Sequence, residues 1–212
     1  MKFNLLLLLF TFLISIIIIN PEEVIKINHK YIYIDPGHGG FDGGAVGDGL
    51  IEKDLVLDIS YLIKSHLEIY GYKVLLTRYK DEALASNKKE DIYKRVNLLN
   101  NDDVLLFLSI HANSFPSSKV SGSQVFYKNT LNKELSETLQ SYLSLVDNSK
   151  RKAKSISNKY LLDHVNNPGC LIEVGFLSNT TDLNNLKNIN YLYTLSKYIS
   201  LGVIDYLSKE GE

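Results

Sequence analysis

The sequence predicts an α/β fold: a three-layer α/β/α arrangement around a mostly parallel, mixed central sheet of about six strands. Short runs rich in β-branched and aromatic residues alternate with longer segments whose apolar residues recur at helical spacing. Turn-forming residues end several of these runs, as at Pro36-Gly37 and Gly71. Repeated strand-helix-strand units favour a parallel sheet that helices cover on both faces.

The first half of the chain carries five predicted elements. Residues 31–35 alternate aromatic and β-branched side chains, which predicts a strand. Residues 52–70 place apolar side chains at helical spacing and stop at Gly71, which predicts a helix. Three more elements follow by the same criteria: a strand over 72–77, a helix over 92–99 and a fully apolar strand over 104–110. Asn87 and Glu90 form a start signal for the second helix.

The second half continues the alternation of periods. Its predicted elements are strands over 122–127, 160–163 and 170–174 and helices over 133–146 and 191–207. The strand at 170–174 consists of apolar residues apart from one glutamate, so we expect it to lie inside the sheet.

The N-terminal segment differs in composition from everything after it. From Leu5 to Ile19 the chain has only two polar side chains, and Lys2 precedes the run. This length suits the apolar region of an export signal and is shorter than the roughly 20 residues of a membrane-spanning helix. No small-residue cleavage site follows the run, so residues 1–29 are expected to be either a signal peptide or a membrane anchor. We expect residues 30–212 to form one domain that acts outside the cytoplasmic membrane.

Charge and cysteine content exclude several classes of function. The chain has 23 Lys and Arg against 24 Asp and Glu, a net charge of −1, so no uniform positive field attracts nucleic acid. Cys170 is the only cysteine, which excludes an intramolecular disulfide and a metal site of several thiolates. It lies in an apolar strand without an assignable histidine partner, so we expect a structural role. The Gly-rich stretch 37–49 lacks the Gly-Lys-Ser/Thr of a nucleotide-binding loop.

Four residues with metal or acid–base chemistry lie near the predicted strand ends. His38 follows the first strand, His111 ends the apolar strand, Glu173 lies near the end of the last strand, and Glu52 opens the first helix. In open α/β sheets, ligands bind beyond the carboxyl ends of the strands. Three of the four residues should therefore meet at one edge of the sheet, and Glu52 can reach that edge from its loop.

Two imidazoles and one carboxylate suit Zn²⁺ and leave a fourth position for water or substrate. A second glutamate nearby would then act as a base. Singly, each histidine could be a hydrogen-bonded structural residue, and Glu52 could be a helix-start residue that complements the dipole. Glu173 is harder to explain in this way, because a carboxylate inside an apolar strand is costly unless it is paired or functional.

The motifs around these residues resemble those of a known enzyme family. The matching motifs and residues are Asp35-Pro-Gly-His-Gly-Gly40, Glu52, Arg78 and Asp81, Ser109-Ile-His-Ala-Asn113 and Glu173-Val-Gly-Phe-Leu-Ser-Asn179. From about residue 31 to 207, the chain resembles the zinc-dependent N-acetylmuramoyl-L-alanine amidases of type 3. The resemblance implies one zinc ion held by His38, Glu52 and His111, with Glu173 as the catalytic residue. It also implies peptidoglycan as substrate, cleaved at the amide between N-acetylmuramic acid and L-alanine.

A finer resemblance comes from Arg151-Lys-Ala-Lys-Ser-Ile-Ser-Asn158, which leads into Tyr160-Leu-Leu. This stretch is similar to the germination-specific amidases, which act on spore cortex and are needed for muramic δ-lactam formation. Two other functions remain open at this point. A zinc peptidase that cuts within stem peptides would use the same site, and an inactive wall-binding module would need none of the four residues.

Two residues outside the four are further candidates. Asn113 either orients His111 or bends the loop after it. Arg151, with the lysines at 150, 152 and 154, either binds stem-peptide carboxylates or belongs to a solvated loop.

The Gly-rich stretch 37–49 contains seven glycines and is costly to order. Either local hydrogen bonds fix it, or an accessory protein of the same envelope compartment does so and raises metal affinity by linkage. The chain shows no recognisable wall-binding repeat or self-blocking helix, which favours such an activator.

Overall fold

The computed structural model describes residues 30–210. The predicted signal or anchor at 1–29 lies outside the described residues. Strands in the described part are β1 (Tyr31–Pro36), β2 (Val46–Gly47), β3 (Leu50–Ile51), β4 (Val74–Leu76), β5 (Val104–Asn113), β6 (Gln124–Tyr127), β7 (Lys154–Ser155) and β8 (Gly169–Phe176). Helices there are α1 (Glu52–Ile69), α2 (Lys88–Leu99), α3 (Lys133–Asp147), α4 (Tyr160–His164), α5 (Thr180–Leu186) and α6 (Ile189–Glu210). None of these helices combines the length and apolarity needed to cross a membrane.

Six of the strands described for 30–210 form one mixed sheet in the order β4-β1-β5-β8-β6-β7. The strands β4, β1, β5 and β8 run parallel, β6 is antiparallel to β8, and β7 is parallel to β6. The remaining two, β2 and β3, make a small hairpin that begins in the Gly-rich stretch and ends just before α1. This architecture confirms the predicted α/β class and the mixed six-stranded sheet.

The helices divide between the two faces of the sheet. Buried residues of α1, α3 and α6 form one large core with the side chains of Ile34, Leu108 and Ile172. On the opposite face, α2 and α4 form a smaller core with Phe107 and Leu171. We call these the α1/α3/α6 face and the α2/α4 face.

Side chains alternate between the two faces along each strand, because the period of a strand is two residues. On the α2/α4 face, the three central strands change from apolar to polar toward their carboxyl ends. The series are Tyr33 and Asp35 in β1; Phe107, Ser109 and His111 in β5; and Leu171 and Glu173 in β8. Polar side chains from three neighbouring strands therefore gather at one edge of this face.

The prediction of a strand at 160–163 is wrong, because this segment forms the helix α4. Leu161 and Leu162 are both buried in the smaller core. A strand would turn consecutive side chains to opposite faces, whereas a single helical turn buries both on one side. The edges of β8 are also already occupied, by β5 and β6.

The second helix begins earlier than its periodicity predicted, at Lys88. Its start signal is confirmed, because the Asn87 side chain accepts a hydrogen bond from the Glu90 amide at 3.0 Å. The sequence interpretation missed α5, although Asn179 caps it in the same way by accepting from the Asp182 amide at 3.0 Å.

Candidate metal centre

His38 lies in the loop that follows β1. Its backbone has φ = 61°, which is unusual for a residue with a side chain. The ring is held by its Nδ1 atom, 2.9 Å from Oδ2 of Asp42, and Lys88 in turn pairs with Asp42 at 2.9 Å. The pairing with Asp42 leaves Nε2 as the nitrogen that faces Glu52.

Glu52 begins α1 and lies between the two histidines. Its Oε1 is 3.1 Å from Nε2 of His38 and 3.0 Å from Nδ1 of His111. Backbone amides hold the same carboxylate: Ala112 donates to Oε1 at 3.1 Å and Ala45 donates to Oε2 at 2.7 Å. Burial opposes ionisation of Glu52, but hydrogen bonds with the histidines outweigh it and lower its pKa.

One possible ligand atom from each of His38, Glu52 and His111 lies within 4.8 Å of the other two. Two imidazoles and a carboxylate are the donor types of catalytic Zn²⁺ sites, in which the fourth position takes water or substrate. The residues present therefore fit this metal.

Two glycines make the close approach of these groups possible. A side chain at Gly37 would overlap the His111 ring, and one at Gly44 would collide with His38 and Glu52. Gly44 also has φ = 69°, a conformation that residues with a side chain rarely adopt.

Glu173 lies beside this cluster, opposite His111 in the register of β5 and β8. The residue is 7% exposed, and its Oε2 atom has no hydrogen-bond partner within the described part of the chain. Burial is the main cause of its raised pKa. A buried carboxylate oxygen without a partner is rare, and a role in proton transfer gives a reason for it.

Two buried arginines fix the backbone of the loop that carries His38. Arg78 donates to the carbonyls of Pro36 at 3.0 Å and Gly37 at 2.9 Å. Arg95, from α2, donates to the carbonyls of Pro36 at 2.8 Å and His38 at 2.5 Å. Local hydrogen bonds therefore order the first part of the Gly-rich stretch.

A buried ion pair completes this support. Nη1 of Arg95 lies 2.7 Å from Oδ1 of Asp35, and Ser109 and Thr77 donate to the same carboxylate. The sequence interpretation noted Arg78 and Asp35 only as motif residues, and it missed the partnership of Asp42 with His38. The spacing of His38 and Asp42, four residues apart in a glycine-rich loop, was the available signal.

Asn113 and Arg151 were the further candidates, and both make hydrogen bonds with other residues of the protein. Oδ1 of Asn113 accepts a hydrogen bond from the Ser114 amide at 2.8 Å, at the start of the loop after β5. Arg151 donates to the Ser121 carbonyl at 2.7 Å and to Oε1 of Gln124 at 2.6 Å. Its guanidinium also lies 4.9 Å from the centre of the Phe176 ring.

Cys170 is completely buried, and burial raises the pKa of its thiol. A thiol in this environment is a poor nucleophile, as predicted.

The N-acetylmuramoyl-L-alanine amidase family matches residues 32–205. The chain belongs to this family. The match covers most of the described residues, including all four residues of the candidate centre, and it confirms the predicted enzyme class. It favours an amidase over the peptidase and over the inactive wall-binding module.

Curated relatives agree with this assignment. The chain is 39% identical to the germination-specific N-acetylmuramoyl-L-alanine amidase of Bacillus subtilis, over 89% of this chain and 84% of that protein. It is 34% identical to the sporulation-specific amidase of the same organism, over 78% of this chain and 64% of that protein.

Among solved structures, the CwlD amidase of Clostridioides difficile, in complex with the GerS lipoprotein, has a TM-score of 0.81 and 34% identity. The match covers 85% of this chain and 99% of that one. The fold is therefore that of an amidase catalytic domain.

Proposed function

We propose that this protein is a zinc-dependent peptidoglycan hydrolase that cleaves the amide between N-acetylmuramic acid and L-alanine. The main support is that the donor atoms of His38, Glu52 and His111 converge beside the buried carboxylate of Glu173, whose Oε2 atom has no hydrogen-bond partner among residues 30–210. The first three residues would hold the metal and the fourth would move protons.

A zinc ion held by these residues would act as a Lewis acid: it would lower the pKa of a bound water toward about 7 and polarise the scissile carbonyl. Glu173 accepts the proton of the attacking water and then delivers it to the departing L-alanine amine. Asp42 keeps His38 in the tautomer whose Nε2 lone pair faces the centre. No covalent intermediate with the protein is required.

The biological setting that we propose is the spore cortex. The support is the similarity to germination- and sporulation-specific relatives together with the apolar segment at 1–29. The protein would then act outside the cytoplasmic membrane, either secreted or anchored by that segment.

We also propose an accessory protein of the same compartment as a partner. The similar CwlD amidase was solved together with a lipoprotein. The arginines fix residues 36–38, whereas the hairpin of β2 and β3, at the end of the Gly-rich stretch, exposes Val46. A partner that binds this hairpin more tightly in the metal-loaded protein would raise metal affinity by linkage.

The experiment that tests the function is metal analysis combined with product analysis. We expect one zinc ion per chain, loss of activity with a chelator and recovery with Zn²⁺. Glu52→Gln should lower both zinc content and turnover. Mass spectrometry of digested peptidoglycan should find muramic acid without its stem peptide, together with free stem peptides that begin with L-alanine. Full activity of the metal-free protein, or shortened peptides still joined to sugar, would contradict the proposal.

A further inference from the structure

A pocket of about 200 Å³ opens beside the candidate metal centre, on the α2/α4 face. Both histidines, His38 and His111, contribute to its wall. Ile92, Leu161 and Leu171 contribute apolar surface to the wall. A group bound at the metal centre would therefore extend directly into this pocket.

Most charged side chains that line the pocket are already neutralised by a partner. Asp42 pairs with Lys88 at 2.9 Å, and Arg95 pairs with both Asp91 and Asp35 at 2.7 Å. Lys159 is the exception, because its ammonium group makes no hydrogen bond or ion pair with any residue from 30 to 210.

The backbone under Lys159 is held in place. It precedes α4, where its carbonyl accepts the Asp163 amide at 2.8 Å. The next side chain, Tyr160, stacks on the His164 ring with centroids 3.8 Å apart, and Leu161 is buried. The charge of Lys159 also acts on the Glu173 carboxylate, where it favours the ionised form. The lysine is thus fixed at its base, free at its tip and close to the catalytic groups.

We infer that Lys159 is a specificity-determining residue that binds the free carboxylate of the second stem-peptide residue. This inference rests on the proposed function. In peptidoglycan, a D-glutamate linked through its γ-carboxyl follows L-alanine, so its α-carboxylate stays free. Two residues span at most about 7 Å, which places this carboxylate within one lysine length of the reacting amide. The apolar wall of the pocket suits the L-alanine methyl group.

Arg151 was the sequence-based candidate for this task, but its guanidinium already binds Ser121 and Gln124. A cation that has internal partners has fewer donors left for a substrate carboxylate, whereas Lys159 keeps all three of its own.

The test compares two disaccharide-peptide substrates that differ in one group: D-glutamate or D-isoglutamine, its α-carboxamide, after L-alanine. The zinc-loaded wild type should prefer the carboxylate by about tenfold in kcat/KM, because a hydrogen bond to a charged group is worth about that factor. Lys159→Met should lose this preference, so that its kcat/KM falls about tenfold further on the carboxylate substrate than on the carboxamide, and Lys159→Arg should retain most of it.

Lys89→Met is the matched control. It removes the same charge from α2, but Lys89 lies over the Tyr93 ring and outside the pocket lining. It should keep the tenfold preference. Equal cleavage of both substrates by the wild type, or a preference that survives in Lys159→Met, would overturn the inference and leave the amidase function intact. Cleavage of neither substrate would overturn both.

Discussion

The two faces of the central sheet are built from the same strands but differ in composition and in role. On the α1/α3/α6 face, β5 presents Leu106, Leu108 and Ile110 to a continuous apolar core. On the α2/α4 face, the alternate residues of the same strand change from Phe107 to Ser109 and then His111. One face therefore supplies most of the hydrophobic stabilisation, and the other carries the buried ion pair, the candidate metal centre and the pocket.

This division has a physical basis. Polar groups in a buried site need partners, and the hydrogen-bonded arginines of the α2/α4 face provide them for the loop that carries His38. The large core on the other side offsets the cost of that polar arrangement. Changes on the two faces should therefore have separable effects on stability and on activity.

The largest effect should come from Glu173→Gln. We expect turnover to fall by about 1,000-fold or more, because glutamine cannot accept the proton of water, while zinc content stays near that of the wild type. The control is the neighbouring residue Ile172, which faces the other side. Ile172→Val should cost about 1 kcal/mol of unfolding free energy and leave kcat unchanged. Zinc loss in Glu173→Gln equal to that in Glu52→Gln would show that the two glutamates have exchanged roles.

The next prediction compares two variants, one on each face of the sheet, that should lose similar amounts of unfolding free energy. Arg95→Met should lower the free energy of unfolding by about 3–5 kcal/mol, because it leaves Asp35 buried without its cation. It should also weaken zinc binding about tenfold or more. Leu195→Ala, in the large core, should cost a similar 2–5 kcal/mol without changing zinc affinity in the folded protein. Denaturant unfolding and zinc titration measure the two quantities. Equal zinc affinities in the two variants would contradict the separation.

The smallest effect is on acid stability. Burial disfavours ionised Asp35, but Arg95 and the hydroxyls of Thr77 and Ser109 outweigh it and hold the pKa below its usual range. The folded state thus gains stability that is complete above pH of about 4 and is lost as the pH falls through the lowered pKa. Urea unfolding of metal-free Asp35→Asn should show a shallower loss of stability in acid.

Asp48 provides the control for that measurement. It is an exposed partner of Lys187, so Asp48→Asn should change the acid dependence little. An unchanged acid profile in Asp35→Asn would mean that the buried ion pair contributes nothing to the pH dependence of the α2/α4 face.

Several features of the fold and the site followed from sequence pattern because their causes are local. The alternation in β1 and the apolar runs in β5 and β8 predicted the strands, and the strand-end rule predicted that His38, His111 and Glu173 approach one another. The short segment at 160–163 was misassigned because one turn of helix and a short apolar strand have the same composition. Only burial of both Leu161 and Leu162 on one face distinguishes them.

The sequence by itself determined the elements, their order and the chemical types gathered at the strand ends, since each depends on residues close in the chain. The tertiary structure decided which charges have partners. Arg151 binds Ser121 and Gln124, whereas the ammonium of Lys159 has no partner within the described part of the chain, although it shares a pocket with histidines 48 and 121 residues away in the sequence. Such pairings depend on strand register and loop path, which bring distant side chains to within a few ångströms and leave no local trace in the sequence.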